Sequence, residues 1–142
     1  MMFPPDSSTD AALVALRPAV VPEQGMNPAT TVGDFLHHTL RPVLKLQNLR
    51  LLTAVADFLL DHHVPFRTAN LTERQRLVAE LLTRNTKLRY TVVGLLTGLF
   101  TTAETRFYRA HRPELNRRLL ELAVRRVQDQ TEAVAELLEP AA

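Results

Sequence analysis

The clearest period in this chain runs through its last third and indicates a long amphipathic helix. Six residues follow one another there at intervals of 4, 3, 4, 3 and 4 positions. A second apolar row, which includes Leu115 and Leu119, widens this heptad seam, and a wide apolar stripe is typical of a helix packed in a bundle. The sequence therefore predicts a helix from about Pro113 to about Leu138. The seam consists of Leu120, Val124, Val127, Thr131, Val134 and Leu138.

The chain from residue 30 onward shows a helical pattern throughout. Thr31, Asn70 and Thr101 each precede an acidic residue by three positions, as the N-terminal caps of helices often do. Pro42 is expected to break or restart its helix, because proline has no N–H to donate. Runs that alternate apolar and polar residues, as strands do, are absent from the sequence. We predict an all-α compact bundle of four to six helices, with a joint at Asn85 and Thr86.

Residues 1–28 have a different composition from the rest of the chain. They hold five of the nine prolines, a spacing that leaves no room for a helix of useful length. We therefore predict a flexible, Pro-rich tail over 1–28, disordered or loosely attached, and a single helical domain over 29–139. Asp6 and Asp10 occupy the positions where a secretory signal peptide would be basic, so a cytoplasmic protein is expected. Met26 is an alternative start of translation.

Composition excludes several kinds of site. The chain has no cysteine, which excludes a disulfide framework, a thiol nucleophile and cysteine metal ligands. Serine occurs only at Ser7 and Ser8, and the four glycines match no phosphate-binding loop. The sequence thus shows no recognisable catalytic set, and no cofactor is expected.

Histidines offer one alternative, a metal-dependent helical enzyme that uses His37, His62 or His111. Helical bundles that bind a di-iron centre carry Glu-x-x-His on facing helices, and this chain has no such motif. The competing interpretation is that His62 and His63 end a helix, where imidazole can meet free carbonyl groups. We therefore predict no metal site.

Arginines offer a second alternative. Residues 74–126 carry a net charge of +8, and fifteen of the seventeen basic residues of the chain are arginine. Arginine neutralises phosphate, and Phe107 and Tyr108 lie nearby in sequence as possible base-stacking residues. The same arginines also form i,i+3 and i,i+4 pairs with acidic residues, as on an ordinary solvated helix face. The predicted nucleic-acid-binding residues are Arg109, Arg117, Arg118, Arg125 and Arg126.

Fourteen uncharged residues, Tyr90–Ala103, contain two glycines four positions apart, Gly94 and Gly98. A membrane-spanning helix needs about 20 apolar residues, so no membrane role is expected. Glycine inside a helix costs about 1 kcal/mol relative to alanine, which suggests that another backbone approaches closely. The neighbour could be a helix of the same domain, a second subunit or a ligand.

Together these features predict a small soluble module that acts by protein binding or self-association, most simply as a homodimer. The predicted partner-binding residues are Gly94, Gly98, Leu120, Val124 and Val127. A nucleic-acid-binding regulator and a metal-dependent enzyme remain the alternatives.

Overall fold

The computed structural model describes residues 7–18 and 30–139. Within these residues the chain forms eight helices and no strand. This confirms the predicted all-α class, but the number of helices exceeds the predicted four to six. The helices are α1 (Ser7–Leu16), α2 (residues 32–46), α3 (Asn48–Asp61), α4 (Leu71–Arg84), α5 (Thr86–Thr97), α6 (Thr102–Ala110), α7 (Arg112–Gln128) and α8 (Thr131–Leu137).

One apolar core extends from α2 to α8. α3 packs against α2, α5, α7 and α8, while α7 also contacts α4 and α6, so α3 and α7 are the central helices. Val55 of α3 and Val127 of α7 are fully buried. Because each of these helices buries a stripe rather than its whole circumference, their charged residues remain on the outside.

Predicted helix starts agree closely with the structure. The Thr31 Oγ1 accepts a hydrogen bond from the Asp34 N–H, and the Asn70 Oδ1 accepts one from the Glu73 N–H. Thr101 forms both halves of a capping box, because its own N–H also donates to the Glu104 carboxylate at 2.8 Å. These bonds satisfy N–H groups that have no partner inside their helix.

The predicted break at Pro42 is wrong, because α2 continues through this residue. α2 consists of Val32–Phe35, a π-helical turn at Leu36–Leu40, and Arg41–Leu46. In the π turn the Arg41 N–H donates to the Leu36 carbonyl, five residues back. The wider turn lies directly before the proline ring, where a regular α-helix would clash with it. The chain changes direction at Gln47 instead, whose φ and ψ are −92° and 14°.

The predicted continuous helix from Pro113 to Leu138 is also wrong, because α7 ends at Gln128 and α8 begins at Thr131. Side-chain amides hold the joint. Asn48 and Gln130 exchange two hydrogen bonds of 2.8 Å each, and the Gln128 side chain donates to the Gln75 carbonyl. Such long-range amide contacts stabilise a break that the local period does not show.

The N-terminal prediction needs a correction as well. Ser7–Leu16 form a ten-residue helix in the interval between Pro5 and Pro18, so the expectation that no useful helix forms within 1–28 is wrong there. Residues 1–6 and 19–29, which include Met26, lie outside the described part of the chain.

Candidate interaction surface

The outward side of α5 is an exposed helix face that carries both glycines of the predicted pair. Leu88, Val92 and Leu96 recur every four residues and are buried, with 2%, 0% and 0% of their surface exposed. The opposite side, which we call the outer face, is exposed and ends at the C-cap Gly98. It consists of Lys87, Tyr90, Thr91, Gly94 and Gly98, and 72% of the Tyr90 surface is exposed.

Both glycines of the predicted close-packing pair lie on this outer face. A methyl group placed on Gly94 would meet no atom of the described chain within 4 Å beyond the adjacent residues and the backbone of its own helix. Of the three neighbours that the sequence allows, a helix of the same domain is therefore ruled out at Gly94 for every helix the structure describes. A methyl on Gly98 would come within 3.0 Å of the Gly94 carbonyl oxygen, in its own last turn. The space beside Gly94 thus stays open to a partner.

The residues of the heptad seam face the core of the domain and are not available to a partner. Leu120 and Val127 are 8% and 0% exposed, and Val124 is half-buried against the core. Thr131 and Val134 continue the seam into the core from α8. These residues stabilise the domain from inside, so the predicted role of Leu120 and Val127 in partner binding has no exposed side chain to support it.

The predicted nucleic-acid-binding arginines lie mostly on the outside but are partly engaged within the chain. Arg117 and Arg118 contact Glu121 at 3.1 and 3.9 Å, and Arg126 donates to the Asn48 side chain at 3.3 Å. Arg109 and Arg125 are exposed.

Aromatic residues near these arginines pack inward. Phe107 stacks on Phe35 with ring centroids 5.0 Å apart, and the buried Tyr108 donates its hydroxyl hydrogen to Asn116. A base could not stack on Tyr108 in this arrangement, because only 8% of its surface is exposed. Nothing in the described structure therefore favours nucleic-acid binding over a solvated basic face.

The histidines do not converge. His62 and His111 each end a helix, and in each the Nδ1 atom lies 3.0 Å from the carbonyl oxygen four residues back. Their rings stack on Phe58 and Phe107, also four residues back, at 3.9 and 4.3 Å. This confirms the predicted helix-ending role for His62, and His111 repeats it. Among the described residues no three His, Asp or Glu side chains group as metal ligands.

A shallow apolar groove of about 380 Å³ lies where α3 ends and the chain crosses towards α4. Leu59, Leu60, Val64 and Leu138 form part of its wall. His63, at its edge, has a φ of 53°, in the left-handed region. Leu60 is 50% exposed there, and His63, Arg67 and Thr68 add polar groups to the lining.

One group of contacts has no counterpart in the sequence predictions. The Arg17 guanidinium donates to both carboxylate oxygens of Glu104, at 2.7 and 2.6 Å, and to the Leu99 carbonyl at 2.9 Å. Burial alone would raise the pKa of Glu104. Hydrogen bonds from Arg17, Thr101 and Thr39, together with the Arg17 charge, outweigh burial and lower this pKa below its ordinary 4.5. The sequence marks Glu104 as a capping residue but gives no sign that Arg17 reaches it.

No described helix of the chain is long and apolar enough to cross a bilayer, and the uncharged run 90–103 is divided between α5 and α6. Comparison of the chain with protein-family models, curated proteins and solved structures found no match.

Proposed function

We propose that this protein is a helical interaction module that self-associates through the outer face of α5. The observation that supports this proposal is the open space beside Gly94 next to a tyrosine that is 72% exposed. Glycine at an exposed position inside a helix lowers stability by about 1 kcal/mol relative to alanine. A backbone that packs against the outer face from a second copy would offset this cost, since glycine permits the closest approach between helices.

The spacing on the outer face is complementary to itself. Tyr90 and Gly98 each lie four residues from Gly94, which is about 6 Å along the helix in either direction. In an antiparallel pair with its two-fold axis at Gly94, the Tyr90 ring therefore lies opposite Gly98 of the partner subunit. The same contact repeats on the other side of the axis, as a two-fold symmetric interface requires. The large side chain of each copy thus fills the space left by a glycine of the other.

Charge also favours the antiparallel arrangement. Lys87 is the one charged residue among the five that form the outer face. In an antiparallel pair the two lysines lie at opposite ends of the contact, whereas a parallel pair would bring them side by side and cause repulsion. One helix face buries less than the roughly 1,200 Å² of the smallest stable interfaces, so we expect a reversible, concentration-dependent dimer.

Sedimentation velocity over a concentration series tests the proposal. Wild type should shift from a 16.0 kDa species towards twice that mass as concentration rises. Gly94→Leu should remain a folded monomer, because the added side chain enters open space in the monomer but prevents close approach of a second helix. Ala103→Leu, at an exposed alanine of α6, is the matched control and should associate like wild type. A wild type that stays monomeric, or a Gly94→Leu variant that dimerises normally, contradicts the proposal.

A further inference from the structure

We infer that α1 is a releasable strap, held on the helical domain by Asp10 and Arg17, and that it can leave the domain without unfolding it. The surface that α1 occupies fits a short helix that carries an acidic residue and is followed directly by an arginine. This inference concerns a different part of the molecule from the outer face of α5 and does not depend on it.

Two groups of polar contacts hold α1 on the domain, one within the helix and one directly after it. Asp10 accepts hydrogen bonds from the Thr102 N–H and hydroxyl at 3.0 and 3.3 Å. Arg17, the residue that follows the last helical residue Leu16, reaches Glu104 and the Leu99 carbonyl. The half-buried Leu13 lies between the two in sequence. A carboxylate at the first amide of α6 also meets the positive end of that helix.

Nothing in α1 belongs to the buried core. The core begins at Phe35, and no side chain described in α1 is buried. Leu16 is 60% exposed and Val14 is 38% exposed. The side chain of Arg17, directly after the helix, is 8% exposed. Release would therefore break the contacts of this one buried arginine and those of Asp10, and would remove no apolar side chain from the core of α2 to α8.

The domain retains hydrogen-bond partners for Glu104 when α1 is absent. The Thr101 N–H and the Thr39 hydroxyl donate to this carboxylate independently of α1, at 2.8 and 3.2 Å. In the docked state, by contrast, the buried Arg17 Nε has no hydrogen-bond partner among the described residues. A buried donor without a partner disfavours the state that contains it. Release costs the Leu99 carbonyl and the Thr102 N–H the partners that Arg17 and Asp10 provide, but it frees Arg17 Nε and leaves Glu104 with two donors of the domain itself.

Release should also melt the helix. Isolated helices shorter than about 12 residues are marginal in water, and α1 has ten residues. We therefore expect α1 to be helical while docked and largely unfolded when free. Docking and helix formation would then be one event. Release would be visible as a loss of amide protection confined to α1.

Native-state hydrogen exchange on the full chain tests this inference. In wild type, amides of α1 should exchange at least about 100-fold faster than the most protected amides of α3, as expected for a unit that opens separately. Arg17→Gln should speed exchange in α1 by at least about tenfold and leave α3 within about twofold, by the same reasoning. Arg118→Gln, which changes an exposed arginine outside the docking contacts, should alter neither.

Three results would overturn the inference. The first is an α1 that exchanges together with α3 in wild type, as part of one cooperative unit. The second is an Arg17→Gln variant whose whole domain loses protection or fails to fold. The third is an Arg17→Gln variant in which α1 remains as protected as in wild type. Asp10→Asn provides a second variant at the other docking contact and should act in the same direction as Arg17→Gln.

Discussion

At two positions, His63 and Gly94, the residue present does not suit the local backbone conformation as well as another residue would. His63 has a φ of 53° at the end of α3, a conformation that favours glycine because a Cβ is crowded there. Gly94 is the reverse case, a glycine in ordinary helical conformation with open space where a side chain could lie. Each position carries a residue that is not the most stable choice for the isolated domain, and each can be tested by substitution.

His63→Gly should stabilise the domain by about 1 kcal/mol, since relief of the left-handed strain exceeds the added entropy of glycine in the unfolded chain. Urea unfolding measures the change. His111→Gly is the contrasting variant, because His111 has a φ of −128° and stacks on Phe107; it should lose stability. A destabilised His63→Gly protein would show that the imidazole makes a contribution larger than the strain.

Gly94→Ala should stabilise the monomer by about 1 kcal/mol, because alanine is the better helix former and its methyl group meets open space. The same methyl should weaken self-association by holding the second helix away. Thermal unfolding at low protein concentration measures the first effect, and sedimentation measures the second. Gly98→Ala should gain less stability, because its methyl would lie 3.0 Å from the Gly94 carbonyl oxygen. Equal gains at both positions would contradict this account of the two glycines.

The helices divide into those whose bounds follow from local sequence and those set by distant contacts. Caps at Thr31, Asn70 and Thr101 act within one turn, so the sequence alone predicts them. The breaks at Gln47 and after Gln128 depend on partners about 50 or 80 residues away, such as Leu95 and Asn48. Local periodicity contains no information about such partners, and it therefore predicts a continuous helix where the structure has two.

Asn48→Ala should lower the free energy of unfolding by about 1 kcal/mol, because it removes both hydrogen bonds between Asn48 and Gln130 at the joint between α7 and α8. Gln130 Oε1 then lacks its donor, while Nε2 keeps its bond to the Arg126 carbonyl. Leu49→Ala is the matched control at the next position, where the side chain is 65% exposed, and should change stability by less than about 0.5 kcal/mol. Denaturant unfolding measures both. Equal effects would mean that the amide pair does not stabilise the joint.

At the scale of the whole molecule, the sequence predicts the helical class but not which surfaces face outward. The heptad seam of 120–138 has the pattern of an association surface, yet α3 and α4 cover it within the chain. The outer face of α5 has a pattern that suggests internal packing, yet no described helix covers Gly94. Each pattern indicates that another helix packs against these residues. Only the tertiary structure shows whether that helix belongs to the same chain or to a second copy.

Acid should release α1 before it unfolds the domain. Because the pKa of Glu104 is lowered in the folded state, its contribution to docking is fully present above the ordinary value of 4.5. That contribution is lost as pH falls through the lowered pKa. Arg17 is the cation that faces this carboxylate, Thr39 and Thr101 donate to it, and Asp10 is the other acidic group of the docking contacts. Hydrogen exchange measured as pH falls below 4.5 should show α1 losing protection relative to α3.

Glu104→Gln should reduce this pH dependence, because a neutral side chain cannot titrate. The variant should also show faster exchange in α1 at neutral pH, where wild type retains the charge pair. Unchanged acid behaviour in Glu104→Gln would assign the pH dependence to another group.

Disulfide crosslinking at position 94 tests whether two copies of α5 pack antiparallel about Gly94. The chain has no native cysteine, so Gly94→Cys introduces the sole thiol, and Thr91→Cys introduces one on the same face. In an antiparallel pair centred on Gly94, the two Cα atoms at this position approach within the roughly 7 Å that a disulfide permits. Two residues at position 91 are offset by about 9 Å along the axes. Under mild oxidation, we expect the covalent dimer of Gly94→Cys to form much faster than that of Thr91→Cys. Equal rates for the two variants would contradict an antiparallel dimer centred on Gly94.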